Sequence, residues 1–362
     1  MPPKIPATVT VAQLPEFDEV IDVRSSSEFA EDHVPGALSC PVLDDEERAR
    51  IGTTYKQVSA FAAKKAGAAL VSRNIAHHLE HALRDKPLTW RPLVYCWRGG
   101  NRSGALAHVL AQIGWRAGQL DGGYRAYRRA VINDLEQLPA RFRWRVVCGL
   151  TGSGKSRLLR ALSTRGAQVL DLEAHAAHRG SVLGDLPDRP QPSQKLFESL
   201  LWNALRGFDP QRPVYVESES RKIGTLRVPQ ALIERMWGGE CVKLDAGVTT
   251  RIALLREEYA HFADDVAALE AQLDRLAALY GHAVIHEWKT LARQGDWDGL
   301  VEALLTRHYD PAYTRSTLTH YPHLEHAPAL FADGAEARVF ERLADACLAP
   351  EATPPRAILP AV

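Results

Sequence analysis

The chain has 362 residues, more than one compact core usually contains, and its ordinary composition predicts a soluble protein of two domains. Lys and Arg together number 44, as do Asp and Glu, so no overall charge draws it onto nucleic acid or a membrane surface. Five cysteines without a Cys-x-x-Cys pair argue against a disulfide framework or zinc knuckle, and the lack of a signal peptide or membrane-length apolar run favours a reducing cytoplasm.

The first third of the chain alternates short apolar segments with helical ones. The segments EVIDV and PLVYCW are typical of buried strands, and a helical pattern extends between them from Ala60 to Leu83. The helix SGALAHVLAQIGW, the segment AGQLDGG and the helix YRAYRRAVINDLEQ follow. This alternation predicts a parallel α/β domain, which we place at residues 1–138.

A second alternating series begins at Trp144. The strand RVVCGL precedes the helix SRLLRALSTRG, and AQVLDLE, PVYVESE and CVKLDA are predicted as strands, with a helix around 194–206. From Thr249 onward, leucines and alanines recur at three-and-four spacing, which predicts helical hairpins. Residues 139–362 are therefore predicted to form a second parallel α/β domain with a helical segment around 249–310.

The segment GLTGSGKS matches the phosphate-loop pattern of Gly, four residues, Gly, Lys and Ser, between a predicted strand and a predicted helix. Its glycines let backbone N–H groups converge on an anion, and the helix N-terminus adds its positive dipole. Ser156 is a candidate ligand for Mg²⁺. The predicted diphosphate-binding residues are Gly149, Thr151, Gly152, Ser153, Gly154, Lys155 and Ser156.

The strand PVYVESES ends in Glu217 and Glu219, where an ATP hydrolase is expected to carry an Asp for its metal ion. ATP hydrolysis is therefore not the favoured reaction. The two glutamates are either a solvated strand end or groups that bind a metal ion or substrate. Arg221 and Lys222, just beyond them, suit a diphosphate or an RNA phosphate.

A cysteine loop, CWRGGNRS, follows the predicted strand PLVY and precedes a helix, so Cys96 lies where open α/β sheets bind their ligands. Loop N–H groups, the helix dipole and the guanidinium groups of Arg98 and Arg102 should stabilise a thiolate and hold an oxyanion. A buried, inert cysteine is the alternative. The predicted oxyanion loop comprises Trp97, Arg98, Gly99, Gly100, Asn101, Arg102 and Ser103.

The segment IDVRSSSEFAEDHVPGALSCPV resembles the Asp-Val-Arg and His-x-Pro-Gly-Ala segments of rhodanese domains, and LDGGYRAY resembles their closing segment. This resemblance implies that Asp22 and Arg24 support the cysteine loop. Arg102 lies six positions after Cys96, a spacing similar to the Cys-x5-Arg of phosphatases and arsenate reductases. The longer loop favours a phosphate-bearing chalcogen donor over thiosulfate, and a phosphatase-type reaction remains open.

Two candidate groups for RNA lie outside these loops. Arginines near the end of the first domain could contact tRNA phosphates, with an ordinary solvated helix face as the alternative. They are Arg125, Arg128, Arg129, Arg141, Arg143 and Arg145. His178 and Arg179, in the segment HRGS, could touch a phosphate or a base, unless that loop is simply fixed by its own hydrogen bonds.

The order of CWRGGNRS, GLTGSGKS, DLEAHAAHRGS, QPSQKLFES and VESESRKIG resembles the bacterial tRNA 2-selenouridine synthases over nearly the whole chain. The resemblance implies a rhodanese-like domain fused to a P-loop domain. It implies that sulfur is replaced by selenium at the wobble 2-thiouridine of tRNAs of the Lys, Glu and Gln type. The co-substrates would be selenophosphate, supplied by selenophosphate synthetase, and geranyl diphosphate, through an S-geranylated intermediate. DNA and membranes are not expected partners.

Two alternatives of other classes remain. One is an ATP-dependent kinase with a fused rhodanese-like module for regulation or sulfur relay, which would require ATP turnover. The other is a non-catalytic tRNA-binding or sulfur-relay module, in which Cys96 hands chalcogen to a partner. The sequence favours the selenium-transfer enzyme because one chain carries both the cysteine loop and the phosphate loop.

Overall fold

The computed structural model describes residues 5–313 and 320–349. Its packing divides the chain into two compact units, Met1–Gln137 with Pro192–Arg206, and Leu138–Gln191 with Gly207–Val362. Each unit is built around a five-stranded sheet in which every strand pair is parallel. The predicted α/β class with two parallel sheets is therefore confirmed.

The sheet of the first unit has the strand order β1-β5-β4-β2-β3. These strands are β1 (Ala7–Val9), β2 (Glu19–Asp22), β3 (Leu38–Ser39), β4 (Pro92–Tyr95) and β5 (Gly118–Leu120). All four residues of the central strand β4 are buried, as expected for a parallel strand covered on both faces. Cys96 directly follows this strand.

Five helices of the first unit lie between or after these strands. They are α1 (Ser26–Glu31), α2 (Asp45–Gln57), α3 (Ala60–Glu80), α4 (Asn101–Ile113) and α5 (Gly123–Gln137). The sequence analysis did not predict α2 because it lacks an apolar stripe, and none of its residues is buried. Its start is fixed by a capping box between Asp44 and Glu47.

A sixth helix of this unit, α8 (Gln194–Arg206), comes from much later in the chain. It packs on α5, where Trp202 donates a hydrogen bond to Asp134 at 2.7 Å and meets the Tyr127 ring edge to face. The sequence analysis predicted this helix but placed it in the second domain. The structure groups it with the first unit because its apolar face and Trp202 are buried against α5.

The sheet of the second unit has the order β12-β11-β6-β8-β7. Its strands are β6 (Trp144–Cys148), β7 (Gln168–Leu170), β8 (Val214–Glu217), β11 (Glu240–Ala246) and β12 (Ala329–Ala332), and a separate hairpin joins β9 (Lys222–Ile223) to β10 (Leu226–Arg227). Four of these strands match predicted segments. The edge strand β12 was not predicted, since its four residues give too short an apolar pattern.

The second unit contains a helical subdomain with its own core, as predicted from the leucine spacing. The helices before it are α6 (Lys155–Thr164), α7 (Leu172–Ala176) and α9 (Gln230–Trp237). Its own helices are α10 (Val248–Glu258), α11 (His261–Asp264), α12 (Val266–Asp274), α13 (Ala277–Gln294) and α14 (Trp297–Leu304). After β12, the last helix among the described residues is α15 (Ala337–Leu348). No helix in the described part of the chain has both the length and the apolar character needed to cross a bilayer.

Candidate active site

The phosphate loop turns from β6 into α6 through two glycines with left-handed backbone, Gly152 (φ +78°) and Gly154 (φ +89°). A side chain at Gly152 would collide with Leu255, and one at Gly154 with the Phe340 ring. Glycine is therefore required at both positions by backbone angle and by space. Gly154 is the N-cap of α6, so the first N–H groups of this helix face the loop, as predicted for an anion site.

Lys155 folds back over its own loop. Its Nζ donates a hydrogen bond to the Gly149 carbonyl at 2.7 Å and lies 5.5 Å from the centroid of the Tyr313 ring. The Tyr313 hydroxyl in turn accepts a hydrogen bond from the Gly149 N–H at 2.7 Å. Tyr313 thus covers the loop beside Lys155. This contact could not be predicted, because Tyr313 lies 164 positions away from Gly149 in a segment without a motif.

Three glutamates lie beside the phosphate loop. Ser156 Oγ donates to Glu173 at 2.9 Å, and the Glu173 N–H donates to Glu217 at 3.0 Å. Burial, followed by the charge of Glu219, raises the pKa of Glu173 to about 8, and burial also raises the pKa of Glu219. Glu217 is only 2% exposed, so the alternative of a solvated strand end is wrong for this residue. Glu173 was not predicted as a site residue, although it is the last residue of the predicted strand segment AQVLDLE.

The donor atoms at this place fit a magnesium ion that arrives with a phosphate ligand. Among residues 5–313 and 320–349, no group of three or more His, Cys, Asp or Glu side chains is arranged to hold a metal ion. Mg²⁺ does not require such a group, because it is usually bound by one or two carboxylates together with substrate phosphates and water. Ser156, Glu173 and Glu219 offer the hard oxygen donors that this ion prefers.

The HRGS loop brings a second cation towards Lys155. The guanidinium group of Arg179 lies 4.9 Å from the Tyr259 ring centroid, and its buried Nη1 has no hydrogen-bond partner within the described ranges. His178 instead fixes the loop: its Nδ1 accepts from the Gly180 N–H at 3.1 Å, and burial lowers its pKa. Arg179 is therefore available to an anion, whereas His178 holds the loop.

These groups line a polar cavity of about 570 Å³, which includes Thr151, Lys155, Ser156, Glu173 and Arg179. The predicted residues Arg221 and Lys222 do not line it, and Arg221 lies 4.8 Å from the centroid of the Trp237 ring.

An apolar cavity of about 220 Å³ adjoins the polar one. The two cavities share four lining residues, namely Thr151, Leu255, Tyr259 and Tyr309. The remaining walls come mainly from the helical subdomain, and their side chains are almost all apolar or aromatic, among them Phe262, Leu269, Trp297, Leu300 and Leu304. A polar compartment and an apolar compartment thus meet beside the phosphate loop.

The cysteine loop of the first unit also relies on left-handed glycines, Gly99 (φ +68°) and Gly100 (φ +71°). Cys96 is 1% exposed, and the Ser103 hydroxyl donates to its sulfur at 3.3 Å. The start of α5 supports the loop, since the Tyr124 N–H donates to the Cys96 carbonyl at 2.8 Å. A side chain on Gly123 would collide with that carbonyl, which explains the paired glycines of LDGGYRAY.

Asp22 and Arg24 lie beneath this loop as a fully buried ion pair with a separation of 2.7 Å. The Tyr95 hydroxyl donates to Asp22 at 2.6 Å, and the Arg24 guanidinium lies 4.1 Å from the Tyr124 ring centroid. The pair therefore contacts both Tyr95, the last residue of β4 before Cys96, and Tyr124 at the start of α5. This arrangement agrees with the supporting role that the rhodanese resemblance implies.

The two arginines of the cysteine loop differ in their surroundings. Arg98 is exposed, as is Asn101. Arg102 forms an ion pair with Glu28 of α1 at 3.0 Å. Burial raises the pKa of Glu28, but the hydrogen bond and charge of Arg102 outweigh it and hold that pKa below its ordinary value. An oxyanion that uses Arg102 must therefore compete with Glu28.

Two of the arginines predicted to contact tRNA are held in internal ion pairs. Arg128 forms an ion pair with Glu198 of α8. Arg145 forms an ion pair with Glu240 at 3.2 Å and donates a hydrogen bond to the Tyr215 hydroxyl at 3.2 Å. Their charges stabilise the units that contain them. The remaining four predicted arginines, at exposed positions, are Arg125, Arg129, Arg141 and Arg143.

Comparison with known proteins finds two family profiles in the chain. Residues 142–273 match the profile described as the tRNA 2-selenouridine synthase AAA domain, and residues 9–130 match the rhodanese-like domain. The tRNA 2-selenouridine synthase of Aeromonas salmonicida is 33% identical over 342 residues, which cover 86% of this chain and 90% of that protein.

Two further similarities cover less of the molecules compared. The tRNA 2-selenouridine synthase of Nitrosomonas europaea is 37% identical over 244 residues, which are 66% of this chain but only 63% of that relative. The solved N-terminal domain of a putative ATP/GTP binding protein from Clostridium difficile 630 is 33% identical, with a TM-score of 0.31, and the match covers 35% of this chain and 99% of that domain.

Proposed function

This chain belongs to the tRNA 2-selenouridine synthase family, and from that premise we propose that it converts wobble 2-thiouridine to 2-selenouridine through an S-geranylated intermediate. Its tRNA substrates would be of the Lys, Glu and Gln type. Geranyl diphosphate would react at the phosphate loop and selenophosphate at the cysteine loop. Selenophosphate synthetase would supply the selenium donor.

The observation that carries the geranyl step is the apolar cavity that opens onto the phosphate loop. A prenyl diphosphate has the same two parts, a dianionic head and a hydrocarbon chain. Loop N–H groups, Lys155 and Arg179 suit the head, and the helical subdomain suits the chain. A nucleoside would bring a polar base and ribose to an apolar wall that offers few hydrogen-bond partners, which disfavours the kinase alternative.

The reaction at the phosphate loop begins with attack of the thiocarbonyl sulfur on C1 of the geranyl group. The C1–O bond breaks, and its electrons leave with diphosphate. The loop N–H groups lie at the start of α6, and Lys155 and Arg179 line the same cavity, so all three could stabilise that developing charge by electrostatic catalysis. When bound at Ser156 and Glu173, Mg²⁺ would neutralise part of the same charge.

Alkylation makes the sulfur a leaving group. A selenium nucleophile derived from selenophosphate can then add at C2 of the base, and the C2–S bond breaks to release geranyl thiolate. Water cleaves the selenium–phosphorus bond and releases phosphate. Cys96, together with Arg98 and Arg102, would orient the selenophosphate for this addition.

The proposal is tested with purified protein, tRNA bearing wobble 2-thiouridine and the two co-substrates, followed by mass analysis of the nucleosides. We expect Lys155→Ala to abolish geranyl transfer but still convert tRNA that was geranylated beforehand. We expect Cys96→Ser to geranylate normally but to make no 2-selenouridine. A Cys96→Ser protein that still forms 2-selenouridine would overturn the role of Cys96.

The kinase alternative makes the opposite prediction for Lys155. Phosphate release from ATP is measured in parallel with geranyl transfer. If Lys155→Ala abolished an ATPase activity while geranylation stayed intact, the phosphate loop would serve ATP and our proposal would be wrong. Arg160→Gln is a milder probe of the same cavity, because Arg160 lines it without belonging to the loop motif.

A further inference from the structure

The helical hairpin of α2 and α3, inserted between β3 and β4, has an unusual charge distribution. From Arg48 to Leu79 the sequence contains no Asp or Glu. The same segment carries six cations: Arg48, Arg50, Lys56, Lys64, Lys65 and Arg73. Because α2 begins with Asp45, Glu46 and Glu47, the positive field is local to the part of the hairpin that follows them.

Most of this charge is free of internal partners. Arg48 pairs with Glu28 and Asp45, at 3.7 and 3.9 Å. The other five cations form no ion pair with any residue that the structure describes, and all five are exposed. They therefore contribute little to folding, unlike Arg128 and Arg145, whose partners are on their own units.

The tip of the hairpin also exposes large apolar side chains. Tyr55, Val58 and Phe61 are 59, 72 and 79% exposed, and they lie within seven consecutive residues. Such a concentration of exposed apolar groups is uncommon on a soluble protein and marks a binding surface. Lys56 lies among these side chains in sequence, and Lys64 and Lys65 follow Phe61 within four residues, so the tip combines aromatic rings with cations.

The fold holds the tip away from the core of its unit. The C-terminal half of α3 is anchored, since Asn74 donates to the Val42 carbonyl at 3.0 Å and Ile75 joins the core cluster. The N-terminal half packs on α2, where Ile51 lies over Gly67. Fourteen residues separate Ala60 from Asn74, which is about 20 Å along a helix.

We propose that this tip, residues 55–65, is a contact surface for the tRNA substrate, with its lysines on backbone phosphates and Tyr55 or Phe61 stacked on an unpaired base. Lysines supply the sequence-independent attraction to RNA, and aromatic rings stack on bases that are not paired. The charges and rings indicate an RNA, and the choice of tRNA as that RNA rests on the proposed function. An anionic protein would match the charge, but it would not need exposed aromatic rings beside the lysines.

Binding is measured by fluorescence anisotropy with labelled 2-thiouridine tRNA over a series of salt concentrations, without geranyl diphosphate or selenophosphate. We expect the triple variant Lys56→Gln, Lys64→Gln, Lys65→Gln to reduce the slope of log affinity against log salt by about two to three. The matched control removes three exposed cations outside the hairpin, Arg84→Gln, Arg116→Gln and Arg338→Gln, and should leave the slope nearly unchanged.

The aromatic contribution is tested with two substitutions at one position. Phe61→Ala should weaken binding by about 5- to 150-fold, the range that follows from removing one stacked ring, whereas Phe61→Trp should retain affinity. Circular dichroism checks that each variant keeps the wild-type helix content. Both substitutions are at an exposed site, so the fold should tolerate them.

The results separate this inference from the proposed function. If the wild type binds tRNA and the hairpin variants bind equally well, the hairpin surface is wrong while the reaction can still proceed. If the wild type binds through the hairpin but transfers no geranyl group, the surface stands and the reaction is wrong. If the hairpin substitutions weakened binding to a protein partner or to anionic vesicles but left the affinity for tRNA unchanged, the inference would also be overturned.

Discussion

The side-chain hydroxyl of Ser103 donates a hydrogen bond to the sulfur of Cys96 at 3.3 Å. The same hydroxyl accepts a hydrogen bond from Gln119 at 3.0 Å, so its orientation is fixed from β5. The Cys96 sulfur also lies 3.7 Å from the Arg98 carbonyl, which can accept a hydrogen bond from the thiol. Removing Ser103 therefore tests whether its hydrogen bond to the sulfur affects the reactivity of Cys96.

Replacing Ser103 with Ala should slow the reaction of Cys96 with iodoacetamide at neutral pH by about tenfold, since one hydrogen bond to a charged group is lost. The rate is followed by mass spectrometry of the peptide that contains Cys96, and Cys96→Ser identifies the background. Ser163→Ala, at an exposed serine, is the matched control and should react like the wild type. Equal rates for Ser103→Ala and the wild type would show that this hydrogen bond does not activate the thiol.

The apolar cavity should determine the length of prenyl chain that is transferred. Ala263 lines this cavity but is itself exposed, so Ala263→Phe can fill the space without disturbing the core. We expect its KM for geranyl diphosphate to rise about tenfold, as expected when roughly 1.4 kcal/mol of apolar burial is lost, with a smaller change for five-carbon dimethylallyl diphosphate. Ala278→Phe, at an exposed position outside the cavity, is the control. An equal change for both substrates would place the prenyl chain elsewhere.

A buried ion pair connects the helical subdomain to the phosphate loop. Arg251 is 4% exposed, donates to the Thr151 carbonyl at 2.8 Å and bonds both oxygens of Asp310 at 2.6 and 3.0 Å. Asp310→Asn should lower the free energy of unfolding by about 3 kcal/mol, because it leaves a buried guanidinium without its counter-charge. Urea denaturation measures the loss.

The control for that experiment is an exposed pair of the same chemistry. Arg256 and Asp298 form an ion pair at 3.0 Å, with side chains 50 and 64% exposed. Asp298→Asn should therefore cost less than about 1 kcal/mol. If Asp310→Asn were no more destabilising than Asp298→Asn, the pair between Arg251 and Asp310 would not be structurally important.

The strands β4 and β6 and the glycine-rich loops that follow them could be predicted because each depends on a local pattern. The runs PLVY and RVVC are apolar and are followed by glycine-rich turns, and parallel sheets place such turns at the carboxyl ends of their strands. Local sequence also fixes the angles at Gly99, Gly100, Gly152 and Gly154, which few other residues can adopt.

The surroundings of these loops could not be predicted, because they come from distant parts of the chain. Glu28 reaches Arg102 across 74 positions, and Tyr313 reaches Gly149 across 164. Neither residue belongs to a recognisable spacing, so only the fold reveals the contact. The sheet order likewise brings β7, with Glu173 just beyond it, to the same edge as the phosphate loop.

The helical subdomain should lose stability in mild acid. His308 is 9% exposed, its Nδ1 lies 2.9 Å from the Tyr280 hydroxyl, and burial lowers its pKa below the ordinary value of 6.5. The folded state therefore keeps His308 uncharged at a pH where the unfolded chain binds a proton. Above about pH 6.5 the free energy of unfolding does not depend on His308 titration. Below that pH it falls as the pH drops towards the folded-state pKa of His308, by at most about 1.4 kcal/mol per pH unit.

Urea denaturation between pH 5 and pH 8 measures this effect. Because His308→Asn removes the group that titrates, we expect it to flatten the decline below pH 6.5. His282→Asn, at an exposed position on α13, is the matched control and should keep the wild-type slope. Other buried histidines with lowered pKa, such as His78 and His178, should preserve part of the decline in both variants. Identical slopes for His308→Asn and the wild type would mean that His308 is not responsible for the acid sensitivity.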